Sequence, residues 1–203
     1  GFHGKTLGSL GAMWNKEYKD PFLLVDPDFH HVPANNIEKL KEEITDTTAA
    51  VIFELVQGEG GVRSLEKAYV KAVRKLCTEK KVLLIIDEVQ TGFGRTGKLF
   101  CCEHYGITPD ILCCAKGIAN GLPMGACIVN DLIQVPKKSH TTTFGGSPLV
   151  CAAALATLEY FEKEKLSEKS ATLGAYALKK LQSLKNDKIR EVRCLGLMLG
   201  IEL

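Results

Sequence analysis

Apolar positions along the chain fall into two patterns. In the first, short unbroken runs appear: "VLLII" at 82–86 leads straight into Asp87 and Glu88, and "AAVIFELV" (49–56), "DILCCA" (110–115) and "GACIVN" (125–130) are similar. Continuous runs of this length predict strands buried on both faces, as in a parallel sheet. In the second pattern, apolar residues recur at helical spacing. Leu65, Ala68, Tyr69, Ala72, Val73 and Leu76 predict a helix over 64–80, with Ser64 positioned to cap it. "NNIEKLKEEI" (35–44) predicts another, capped by Asn35 or Asn36, and two long helices follow at 148–165 and 167–185, with Pro148 suited to a first turn. A short helix is expected within 4–10, a turn at 57–62, and irregular chain over the Pro-, Asp- and His-rich residues 15–33. The last stretch, 188–203, reads as two short strands split at Gly196.

Strand, helix and strand over 49–87 predict a right-handed βαβ unit and therefore an α/β sheet. Ligands of such sheets gather where strands end at their carboxyl side. Polar side chains stand at three of these predicted ends: Glu54 with Gln57, Asp87 with Gln90, and Lys116. A domain boundary is expected near 187, where helix gives way to strand.

Composition narrows this picture without redirecting it. With 203 residues, 45% hydrophobic and 25% charged, the chain suits one sizeable globular domain or a domain with part of another. Net charge is +2 from 26 basic and 24 acidic residues, which gives no electrostatic case for nucleic acid or an anionic membrane. No apolar run approaches the roughly 18 residues of a membrane span, and the first residues lack a signal-peptide pattern. The eight cysteines contain no C-x-x-C pair and sit mostly in apolar runs, so reduced thiols, a cytoplasmic setting and no metal site are expected. The chain opens on a motif-like "GFHGKTLG" and stops within "CLGLMLGIEL", which suggests a piece of a longer polypeptide.

The acids at 87 and 88 and the loop "TGFGRTGK" admit three chemistries. Gly92, Gly97 and Lys98 fit a phosphate-binding G-x-x-x-x-G-K, but Leu99 stands where a magnesium-ligating hydroxyl is needed, and the loop follows the acidic strand instead of preceding it. Gly92, Gly94 and Gly97 fit the dinucleotide pattern G-x-G-x-x-G, but the loop starts five residues past the strand and no acid is well placed beyond it. The third chemistry places Asp87 against a protonated pyridine nitrogen, as in pyridoxal phosphate (PLP) enzymes, and needs a lysine for a Schiff base. Lys116 follows an apolar strand and precedes the small residues "GIANG", where partial desolvation would free its amine. Alone, an Asp at a strand end is usually a turn residue and a Lys after a strand is usually solvated; their combination and order carry the reading.

That order resembles a known family. "DEVQTGFGRTGKLF", "AKGIANGLPMGA" and "TTTFGGSPLVCAAALATLE", with "GFHGKTLGSL" and "FELVQGEGGV", are similar to the class III (ornithine/acetylornithine-type) PLP-dependent aminotransferases over almost the whole chain. The resemblance implies the large domain of PLP fold type I: an α/β domain with a mainly parallel sheet and helices on both faces, working as a homodimer or higher. Residues 1–187 would be that domain, incomplete at its N-terminus, and 188–203 the start of a small C-terminal domain. Asp87 would pair with the pyridinium nitrogen, Val89 and Phe2 would cover the two ring faces, and Gln90 would bond the ring's 3-oxygen. Lys116 would form the Schiff base and then move a proton from the substrate's Cα. Thr143 would reach the phosphate of a neighbouring subunit. Lys5 and Glu59 would contact substrate, with Glu54 a supporting acid near the cofactor.

Three departures stand out. Lys5 occupies the usual place of a carboxylate-binding arginine and lacks its two-pronged fork. Ser147 replaces a common Asn, and Leu55 a common Pro. The family's phosphate loop and C-terminal carboxylate-binding arginine lie beyond these residues.

The implied reaction moves the terminal amino group of N-acetylornithine, or a similar ornithine or lysine derivative, to 2-oxoglutarate in a ping-pong sequence with amino-acid and 2-oxo-acid substrates. A carrier-protein-linked lysine or ornithine aminotransferase is the near alternative; 4-aminobutyrate and ornithine aminotransferases follow. A non-catalytic fragment or an aminomutase on the same scaffold is the alternative of a different class.

Overall fold

The computed structural model describes residues 1–22, 28–137 and 139–203. Two short helices, α1 (Leu7–Gly11) and α2 (Lys16–Lys19), precede α3 (Ile37–Glu43) and strand β1 (Ala50–Phe53). A small hairpin, β2 (Val56–Gln57) and β3 (Arg63–Ser64), leads into α4 (Lys67–Lys80) and β4 (Leu83–Asp87). Then come α5 (Cys102–Tyr105), β5 (Ile111–Cys114), a 3-10 turn (Lys116–Ala119) and β6 (Ala126–Val129). Helices α6 (Pro148–Lys163) and α7 (Leu166–Gln182) lead to the hairpin β7 (Glu191–Leu195) and β8 (Met198–Glu202).

The central sheet has the order β1-β4-β5-β6. β1, β4 and β5 run parallel, and β6 returns antiparallel on β5. The sheet is therefore mostly parallel, and α4 connects β1 to β4 as the periodicity predicts. Val70, Val73, Leu76 and Cys77 line one face of α4 and join the core with Leu84 and Ile86 of β4. Side chains of this size, fully buried, each contribute about 1.5–3 kcal/mol of apolar burial. Asp110 fastens the start of β5: its carboxylate accepts from the Leu84 N–H (2.7 Å) and the Asn130 amide (2.9 Å) and pairs with Arg74 at 2.8 Å. No helix among the described residues is long and apolar enough to cross a membrane.

Local expectations fail where distant partners intervene. The apolar run 49–56 does not form one strand. β1 ends at Phe53, the chain turns at Glu54, and Val56 begins a separate antiparallel ladder with Ser64. The Tyr105 hydroxyl stabilises this break by donating towards the Leu55 and Leu65 carbonyls at 3.2 and 3.0 Å. Ser64 consequently belongs to β3 and does not cap α4, whose N-cap is Glu66 without a side-chain bond. Asn36 caps α3 through the Lys39 N–H, whereas Asn35 reaches across to accept from Glu66 N at 2.9 Å. The stretch read as irregular holds α2, capped by Asn15; its residues 23–27 lie outside the described residues.

Candidate active site

Asp87 is the last residue of β4 and is buried. Its Oδ1 accepts from the Val89 N–H at 3.0 Å, and its Oδ2 lies 2.8 Å from His3 Nδ1. The His3 side chain is itself only 5% exposed. A buried carboxylate with one donor on each oxygen is fixed in orientation and keeps spare lone pairs. "FHG" was legible as a motif, but the role of His3 was not, because its partner is 84 positions away.

Beside this pair, the Phe2 N–H donates to Glu54 Oε1 at 2.8 Å. Burial is the main cause that pushes the Glu54 carboxyl above its ordinary value, against the Phe2 bond and the nearby His3. A raised folded value means that Glu54 supports the fold fully at low pH and loses that support as pH rises through the folded value. Glu54→Gln retains an acceptor for Phe2 without a charge to bury. Its melting temperature is expected to gain on wild type as pH rises above about 4.5. Melting curves between pH 4 and 7 check this, and a constant offset across the range would contradict it.

β5 lies next to β4 with Cys113 opposite Asp87, so Lys116 emerges from the same sheet edge three residues later. Lys116 opens the 3-10 turn with φ +43°, in the left-handed region that a non-glycine residue occupies at a cost. Such backbone clusters at functional sites. The side chain faces a cleft of about 420 Å³, also lined by Val62, Val89, Gln90, Arg95 and Met198. Lys116 is exposed, so packing within this chain does not supply the desolvation expected of it. Gln90 lies against Gly58, where a Cβ would sit 1.8 Å from Gln90 Oε1, so a side chain at 58 would displace the Gln90 amide from this position.

The remaining predicted residues are more dispersed. Phe2 is half-buried, with its ring edge-on to the Tyr18 ring at 6.3 Å, and Lys5 Nζ lies 4.4 Å from the centre of the Tyr18 ring. Tyr18, unmarked by any sequence motif, thus holds both. Glu59 stands exposed in the turn between β2 and β3, and Thr143 stands exposed in the loop between β6 and α6. Neither lines the cleft.

The second acid of the opening motif has a different use. Glu88 is fully buried and accepts from the Cys101 N–H (2.9 Å), the Cys102 N–H (2.8 Å) and the Thr91 hydroxyl. It satisfies the open amides where α5 begins, which explains a helix that periodicity did not predict. The glycine loop is a packing seat. Gly94 (φ +80°) and Gly97 (φ +91°) turn the chain, and a Cβ would meet Phe161 of α6 at 2.5 Å and Ala171 of α7 at 3.0 Å. The cysteines are all free. Burial pushes the Cys77 thiol up to about 11 and the Cys102 and Cys113 thiols up to about 12.

This donor set suits pyridoxal phosphate. A buried carboxylate ends one strand, a lysine follows the adjacent one, and the valine and glutamine that come after the carboxylate line the cleft together with the lysine.

The family model for Aminotransferase class-III matches residues 1–203. Acetylornithine aminotransferase of Methanocaldococcus jannaschii is 50% identical over 206 residues, covering 100% of this chain and 52% of that protein. [LysW]-aminoadipate semialdehyde transaminase of Deinococcus radiodurans is 44% identical over 207 residues, covering 100% and 48%. A solved structure of the ornithine aminotransferase from Toxoplasma gondii, with partial occupancy of PLP at its active site, superposes with a TM-score of 0.91 at 32% identity, over 98% of this chain and 49% of that one. The chain spans about half the length of the curated relatives it matches.

Proposed function

Because the chain belongs to the class III aminotransferases, we propose that it forms the core of a PLP-dependent transaminase that moves the terminal amino group of N-acetylornithine, or a similar ornithine or lysine derivative, to 2-oxoglutarate. The observation that carries this reading is the placement of buried Asp87 and of Lys116 at the ends of adjacent parallel strands. The 50% identity to an acetylornithine aminotransferase supports the donor. The 44% identity to the [LysW]-aminoadipate semialdehyde transaminase supports a carrier-linked donor as the second reading. A cytoplasmic homodimer completes the proposal.

When bound, pyridoxal phosphate supplies an aldehyde that captures amines and a ring that withdraws electron density from the substrate carbon. The chain's own residues do the rest. Asp87 would hold the proton on the ring nitrogen, and His3, at 2.8 Å, fixes the carboxylate that would do so. Val89 and Phe2 would confine the ring faces, and Gln90 would bond the ring oxygen. The Lys116 amine would hold the cofactor covalently and, once free, would accept the proton from the substrate carbon bearing the amine and give it back when the new amine is formed. Lys5 and Glu59 orient the substrate, and Thr143 serves the phosphate of a neighbouring subunit.

The test is a donor panel with the full-length protein and 2-oxoglutarate: N-acetylornithine, ornithine, 4-aminobutyrate and a carrier-linked lysine derivative. Glutamate formation is expected, with the highest kcat/KM for N-acetylornithine. A carrier-linked donor ahead of it selects the second reading, and no glutamate with any donor overturns both.

A further inference from the structure

The turn that carries Glu59 is held by a residue 132 positions away. Arg193, on β7, donates from Nε to the Gly61 carbonyl at 2.8 Å, and its side chain is only 14% exposed. Directly across the hairpin from Arg193 is Gly200, where a Cβ would come within 2.8 Å of that same carbonyl. The Gly61 carbonyl is thus pressed onto bare backbone of β8 and pinned there by a guanidinium.

The guanidinium is itself held in place. Glu191 and Glu202 face each other across the hairpin, an arrangement that repels unless cations intervene. Arg193 Nη1 pairs with both, at 2.8 Å for Glu202. Arg63 of β3 reaches the same Glu202 oxygen at 2.8 Å, so the network ties one hairpin to the other.

What is pinned is a strained turn, closed by the Gly61 and Val62 amides donating to the Gly58 carbonyl at 3.2 and 3.3 Å. Gly61 and Val62 have φ of +90° and +56°, and a β-branched residue in the left-handed region is strained. Such backbone persists where its surroundings over-determine it. Val62 and Gly58 of this turn line the Lys116 cleft, and Leu197, Met198 and Leu199 of the β7–β8 hairpin line it too. Arg193 therefore sets the spacing of two walls of one cleft.

We propose that Arg193 is a positioning residue for the 58–62 turn, fixing where Glu59 stands beside the Lys116 cleft and hence which amino donor the site accepts. The donor half of this inference rests on the transaminase reading above.

Arg193→Lys in the full-length protein tests it, since lysine can still pair with Glu191 and Glu202 but lacks the Nε–H. Amide hydrogen exchange over residues 58–62 is expected to rise about tenfold while β4 is unchanged, and KM for the amino donor to rise about tenfold with kcat moving less than about threefold. Glu202→Gln weakens the ion pairs and leaves the Nε–H bond, so it is expected to move both readouts by less than about threefold. Unchanged exchange in Arg193→Lys overturns the positioning. Faster exchange with an unmoved donor KM overturns the link to donor choice, and an equal effect of Glu202→Gln overturns the role of the Nε–H. If wild type turns over no donor, the transaminase reading has failed, and the exchange result still decides the positioning.

Discussion

Lys116→Ala in the full-length protein is expected to lower transaminase turnover by at least about 10³-fold, because it removes both the covalent tether and the proton carrier. The loss should be chemical, not structural. Lys116 is exposed, so truncation leaves no core cavity. Its left-handed φ of +43° strains alanine and lysine alike. The melting temperature is accordingly expected to stay within a few degrees of wild type, since exposed substitutions rarely exceed about 0.5 kcal/mol. A small exogenous amine should restore part of the activity by carrying the proton that Lys116 no longer carries. Glutamate formation measured with and without the amine checks this. A variant that retains turnover within tenfold of wild type would remove Lys116 from the chemistry and take the Schiff-base assignment with it.

The legibility of this site differs residue by residue. β4 and β5 were readable because an unbroken apolar run is a local signal, and the acid and lysine that end those runs follow directly from it. The long helices were readable for the same reason; Pro148 marks the first residue of α6 as expected. What escaped was made by partners far along the chain. His3 matters through Asp87, Tyr18 through Phe2 and Lys5, and Asn35 through Glu66. The break of the 49–56 run depends on a tyrosine 50 positions on. The glycine loop misled in an instructive way. Its spacing fits two phosphate motifs, yet Gly94 and Gly97 are required by Phe161 and Ala171, which approach from helices that no local motif could bring to mind.

The second large effect belongs to Glu88, and it separates the two acids of the opening motif. Glu88→Ala is expected to destabilise the fold by about 3–5 kcal/mol, because it opens a void in the core and strands several buried donors at once. Truncation strands the Cys101 and Cys102 amides and the Thr91 hydroxyl in a site with no access to water, and an unmatched buried donor costs about 1–3 kcal/mol. It also leaves a void, because the side chain is fully enclosed. Glu88→Gln keeps the volume but turns an amide NH2 towards donors, so it should fall between alanine and wild type. Both effects should appear as a shift in urea midpoint with little change in slope. Asp87→Asn provides the contrast. Its oxygen can still accept from Val89 N–H, so it should cost turnover far more than stability. If Glu88→Ala unfolds within about 0.5 kcal/mol of wild type, Glu88 does not clamp the loop, and the start of α5 must be satisfied by other groups.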